Sequence, residues 1–257
     1  MSEILDIKEL SKSLKLVKIK NTYLSKAKTG QFFVLQYSEK PERLSMFVMD
    51  TFEDGAWFLL QKTDDPIAID VFDNIKTGHR VHYVEGPAGK PFPSLEHKNI
   101  LFVSIDWGFG GIYNIAKHLK NTNAIDLAFI DTENVKLKDV KEFTNIFENI
   151  YEYESFEAFN KNNKPYDVVI TAGSNQVAKE LVNIYEDTKV ISAIITRMLC
   201  TVGLCLSCRI NYDGALKLPC VEGPWLEASK VDFEDIERRY RILKEALEHS
   251  MVRNRKG

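Results

Sequence analysis

At 257 residues, with 44% hydrophobic and 28% charged residues, the chain suits one large domain or two ordinary ones of soluble composition. A formal net charge of -3 gives no electrostatic case for nucleic acid or an anionic membrane. No apolar run approaches a membrane span, and the N-terminal stretch MSEILDIKELSKSLKL lacks an apolar signal core, so a cytoplasmic location is expected.

Residues 1–95 read as β-rich. Short runs at 14–19, 32–37, 47–49, 57–60 and 80–84 are separated by Gly, Pro, Asp and Asn, which suggests a small barrel or sandwich. Over 96–196 the rhythm changes. The apolar run 100–105 suits a strand buried on both faces. A helical stretch follows at 111–119, then a strand at 125–130, a helix at 135–147, a strand at 166–171, a helix at 175–185 and a strand at 190–195. Strands alternating with helices predict a parallel, doubly wound sheet. Residues 197–257 form a third region that ends in a helical pattern at 233–247, with Ile236, Tyr240, Leu243 and Leu247 on one side. A basic cluster at 253–256 reads as a solvated tail. The five histidines, His79, His82, His97, His118 and His249, are scattered and form no motif.

The third region holds all four cysteines, Cys200, Cys205, Cys208 and Cys220, spaced C-x4-C-x2-C-x11-C. The first three match the C-x4-C-x2-C run of plant-type [2Fe–2S] ferredoxins, where a fourth Cys comes from further along. Gly203 lets the backbone pass close to a cluster and turn its N–H groups to the sulfurs. The Asp213-Gly214 turn folds Cys220 back towards Cys208. Structural zinc usually takes two C-x2-C knuckles or a Cys/His mix, and here there is one knuckle with no nearby His. Two disulfides would suit a secreted chain. A barrel for a flavin, an α/β unit for a nicotinamide nucleotide and a tail with a one-electron centre together form a layout for moving electrons.

Several segments carry a family likeness. They are Lys28-Thr29-Gly30-Gln31-Phe32, Glu42-Arg43-Leu44-Ser45-Met46, Gly86-Pro87-Ala88-Gly89-Lys90-Pro91, Ile115-Ala116-Lys117, and Cys220-Val221-Glu222-Gly223-Pro224 followed by Val231-Asp232-Phe233. Through them the chain resembles the electron-transfer subunit of class B dihydroorotate dehydrogenases. It is also similar to the flavin subunits of ferredoxin-NADP oxidoreductase and sulfide dehydrogenase type, all in the ferredoxin reductase superfamily. The resemblance implies a ferredoxin-reductase-like flavin barrel at 1–95, an α/β nucleotide-binding-like domain at 96–196 and a [2Fe–2S] tail at 197–257. It implies FAD held by Arg43, Ser45 and Met46, and a catalytic dihydroorotate dehydrogenase subunit as hetero-oligomeric partner. The apolar residues Pro219, Val221, Pro224, Trp225 and Leu226 around Cys220 offer that partner a patch, with Trp225 as the docking anchor.

The chain departs from the family where nucleotides would bind. The Gly-Thr-like turn opening a helix becomes Thr63-Asp64-Asp65-Pro66, which puts carboxylates near a phosphate site. The glycine-rich turn after the first α/β strand becomes Ser104-Ile105-Asp106-Trp107-Gly108, and a later Cys-Gly-Pro-type segment becomes Ala172-Gly173-Ser174. NAD is therefore not the expected acceptor. Thr201 replaces a Gly common in the dihydroorotate dehydrogenase subunits. Cys200 stands where some ferredoxin-NADP oxidoreductase relatives have Asp, which favours the all-cysteine type. Two other readings stay open: a ferredoxin- or sulfide-linked subunit, and a non-redox binding subunit with a structural metal.

Overall fold

The computed structural model describes residues 2–40, 42–159 and 165–242. Leu243, Leu247, His249 and the 253–256 cluster lie outside them, while 233–242 is helical as the apolar spacing predicts.

The β-rich region runs β1 (Glu3–Glu9), β2 (Leu14–Lys20), β3 (Phe32–Gln36), β4 (Leu44–Phe47), β5 (Asp50–Phe52), β6 (Gly55–Gln61), α1 (Pro66–Asn74) and β7 (Tyr83–Ala88). Antiparallel pairing gives two sheets, ordered β1-β2-β6-β5 and β4-β3-β7. Alternation along the strands turns Val17, Ile19, Phe33, Leu35, Met46, Phe58 and Leu60 into one barrel core. Two predicted strands move. The run expected at 47–49 is centred earlier, on β4, and that expected at 80–84 lies later, on β7.

The second region runs β8 (Asn99–Ile105), α2 (Phe109–Leu119), β9 (Ala124–Ile130), α3 (Leu137–Val140), β10 (Asn149–Tyr153), α4 (Phe156–Phe159), β11 (Val168–Ala172), α5 (Asn175–Ile184) and β12 (Lys189–Ala193). The tail adds β13 (Ile210–Tyr212), β14 (Ala215–Lys217), α6 (Pro219–Glu222) and β15 (Trp225–Glu227). A six-stranded sheet orders them β10-β9-β8-β11-β12-β15, parallel except for β15. The order reverses beside β8, the switch point of a doubly wound sheet.

The helix predicted at 135–147 is instead the short α3 followed by a 3-10 turn, Lys141–Ile146, and then the edge strand β10. The apolar residues of the stretch, Val135, Val140 and Phe147, are buried at intervals that a broken helix serves as well as a whole one.

One apolar cluster spans all three regions of the sequence. It joins Leu16, Phe32, Phe47 and Leu59 of the barrel, Phe102, Phe109 and Ile112 of the α/β unit, and Cys208, Cys220 and Trp225 of the tail. Ion pairs reinforce the seam, Lys117 to Asp50 at 2.6 Å and Lys8 to Glu142 at 2.6 Å. Among the described residues no helix is long and apolar enough to cross a membrane.

Candidate metal centre

The cysteine loop is shaped by left-handed backbone. Thr201, Gly203 and Leu206 all have positive φ, at 55°, 78° and 55°. A Cβ on Gly203 would come within 3.2 Å of both Leu218 and Val221, so the tight curl needs glycine there. Thr201 holds the same unfavourable region as a β-branched residue, and its hydroxyl is tied to the Cys200 carbonyl at 2.8 Å.

The curl aims main-chain N–H groups at sulfur, as Gly203 predicts. The Cys205 N–H donates to Cys200 Sγ at 3.4 Å. Burial alone would push the Cys200 thiol up. The N–H groups of Cys205, Val202 and Leu204, with the Cys205 thiol, outweigh that and bring it down to about 6. Cys220 moves the other way. Burial, then the hydrogen-bonded Cys208 thiol, then the nearby Cys200 raise it to about 12, against a Gly203 N–H that favours its thiolate.

The β13–β14 hairpin turns at Asp213-Gly214 and returns the chain to α6, which carries Cys220 back to Cys208. Both of these are buried, at 1% exposure each, while Cys200 is half-buried and Cys205 exposed.

Cys205 is hydrogen-bonded to Cys200 and Cys208 to Cys220, and Cys200 also acts on Cys220. Among the described residues no three His, Cys, Asp or Glu side chains are gathered as a site for a single ion. Four thiolates on one loop suit two irons bridged by sulfide.

The rim of the loop is apolar and open. Leu204 is 84% exposed and Val202 56%, with Leu206 and Val221 also exposed. The docking role expected of Trp225 is corrected here. Its side chain is only 8% exposed. Its Nε1 donates to the Gly30 carbonyl at 2.8 Å, and its ring packs on Phe47 and Phe92. The heteroaromatic residue that reads as an anchor for a partner is the pin that fastens the tail to the barrel.

Most motif segments of the resemblance meet at that pin. The Gly30 N–H donates to Asn114 of α2, and Gln31 Nε2 donates to the Gly89 carbonyl. The Lys90 N–H donates to the Gly223 carbonyl at 2.6 Å.

Of the three residues expected on the flavin, Met46 points into the barrel core and is buried. Arg43, immediately before β4, and Ser45 within it reach the tail. Arg43 Nη1 donates to the Leu199 carbonyl at 2.6 Å, and Ser45 Oγ donates to the Met198 carbonyl at 3.2 Å. The Arg43 guanidinium also lies over the Tyr83 ring. At the start of α1 Asp65 caps the helix by accepting the Ile67 N–H at 2.8 Å, so a carboxylate stands where the family's helix opens with open N–H groups.

The α/β turn is also filled from within. The Asp106 carboxylate, at φ 51°, accepts from Thr132 at 2.6 Å and from Gln61 at 3.2 Å. Trp107 stacks on Phe47. The surviving glycines answer to packing between turns: a Cβ on Gly108 would lie 2.3 Å from the Ala172 backbone, and one on Gly173 would lie 1.9 Å from the Ile105 carbonyl. Residue type alone gave no sign of the Gln61–Asp106–Thr132 link.

Fold and thiol loop together define a ferredoxin-reductase-like protein with an iron–sulfur tail. Residues 196–232 match the family described as the iron-sulfur cluster binding domain of dihydroorotate dehydrogenase B. The resemblance to the electron-transfer subunits of that enzyme extends along the chain. A homolog of that subunit (NAD(+) type) from Thermotoga maritima is 25% identical over 240 residues, covering 83% of this chain and 80% of the relative. The corresponding subunit of Clostridium acetobutylicum is 22% identical over 216 residues, covering 80% and 87%. Among solved structures, an NADH-dependent reduced ferredoxin-NADP oxidoreductase studied for flavin-based electron bifurcation superposes with a TM-score of 0.85. It is 22% identical, and the match covers 98% of this chain and 97% of that one.

Proposed function

We propose that the chain is the electron-transfer subunit of an oxidoreductase complex whose catalytic partner is a dihydroorotate dehydrogenase subunit of pyrimidine biosynthesis. The observation that carries this reading is the four free thiols of Cys200, Cys205, Cys208 and Cys220 on one loop beside an exposed apolar rim. A [2Fe–2S] centre takes up and releases single electrons. The chain's own residues hold it, surround Cys200 with N–H donors and offer Leu204, Val202, Leu206 and Val221 as a docking face. Cys200 as the first ligand supports the dihydroorotate dehydrogenase type over the ferredoxin-linked one.

FAD is the second group of this reading, held at its pyrophosphate by Arg43. The acceptor is a dye, quinone or protein rather than NAD. Support comes from the Asp106 carboxylate and the Trp107 ring, which occupy the turn where a dinucleotide phosphate would need open backbone. Co-expression with a catalytic dihydroorotate dehydrogenase subunit tests the assignment. A complex should form, and Leu204→Asp should weaken it by roughly tenfold or more. A stable monomer indifferent to that subunit would overturn the partner assignment.

A further inference from the structure

We propose that Arg43 is a positioning residue for the cluster, linking its redox potential to the anion seat on the barrel. The inference rests on the four cysteines being cluster ligands. Arg43, immediately before β4, and Ser45 within it lie two residues apart and so point to the same side, while Leu44 and Met46 turn to the barrel core. Their donors hold two successive carbonyls, Met198 and Leu199, and Leu199 is bonded directly to Cys200. The guanidinium also lies over the Tyr83 ring, 5.7 Å from its centroid, so its place is fixed from two sides.

Any donor could tie a loop down. A guanidinium adds a permanent positive charge beside the first ligand. A cluster with four thiolates is anionic, and reduction adds one more negative charge. A fixed cation therefore stabilises the reduced form more than the oxidised form. The unused edge of the same fork is the part that fits a pyrophosphate. An anion bound there would offset the charge felt by the cluster, so flavin occupancy and cluster potential become linked, each shifting the other equally.

The test is an anaerobic potentiometric titration of the full-length, cluster-loaded chain, followed by electron paramagnetic resonance, with and without added FAD. Arg43→Gln should lower the ratio of reduced to oxidised cluster about tenfold at a fixed ambient potential, which is about 59 mV for a one-electron couple. Arg43→Lys keeps the charge and should change the ratio by less than about threefold. Ser45→Ala, which removes no charge, should leave it unchanged. FAD should lower the potential of the wild type and not that of Arg43→Gln. If Arg43→Gln loses FAD affinity while the potential stays at the wild-type value, Arg43 serves the flavin alone and the inference falls. Should Arg43→Gln fail to load iron, Arg43→Lys decides. Loading at near wild-type potential sustains the inference, and a tenfold drop overturns it. Wild-type protein without iron and sulfide would instead sink the cluster reading itself.

Discussion

Truncating Trp225 to alanine would open a hole where Phe47, Phe92 and the Gly30 loop now meet. The expected cost is about 3–5 kcal/mol of folding stability, visible in a urea melt. Trp225→Phe should cost less, since it chiefly strips the Gly30 carbonyl of its donor, about 1 kcal/mol. A variant with unchanged stability and a weakened partner complex would restore the docking role and contradict the burial. Gly203→Ala tests the loop in the same way. At φ 78°, with Leu218 and Val221 within 3.2 Å of the added methyl, it should cost at least about 1 kcal/mol and loosen the bound iron. Iron loss to a chelator checks this. The cysteines and Gly203 were legible in the sequence because spacing and backbone need are local properties. The place of Trp225 was not, since its partners lie about two hundred residues away, and an aromatic beside a motif reads equally well as interface or core.

At the scale of elements, the start of α1 has the clearest consequence. Asp65 uses its carboxylate for capping, which stabilises the helix and leaves a negative charge at its start. Asp65→Asn keeps a capping oxygen and removes the charge. It should leave the melting temperature nearly unchanged and tighten FAD binding, read by fluorescence quenching of the flavin. Asp65→Ala should lose about 1 kcal/mol of stability. Equal FAD affinity in wild type and Asp65→Asn would show that the flavin never nears this helix. The carboxylates at 64 and 65 stand out in the sequence, but only the geometry tells that Asp65 faces the helix. The central strands β8, β9, β11 and β12 were plain from their continuous apolar runs. β1 and β10 escaped because edge strands alternate charged with apolar residues and bury little, and β15 because it is only three residues long.

Across the whole molecule, one apolar cluster joins the barrel, the α/β unit and the tail beside the barrel's own core, and the motif glycines sit at the junction. The seam is built so that the cysteine loop touches the barrel through Arg43 and Ser45 and faces outward through Leu204. The shared seam explains why segments far apart in sequence carry the likeness together. The change from short antiparallel strands to strands alternating with helices was readable from the rhythm of the sequence. The apolar cluster that joins these parts to the tail was not, because no local pattern records which buried faces meet.

The central claim is the cluster, and the most direct test is the composition of the full-length protein purified without oxygen. The four thiols predict two irons and two acid-labile sulfides per chain, with a brown colour that Cys205→Ala or Cys208→Ala abolishes. One zinc per chain with no sulfide would contradict the account.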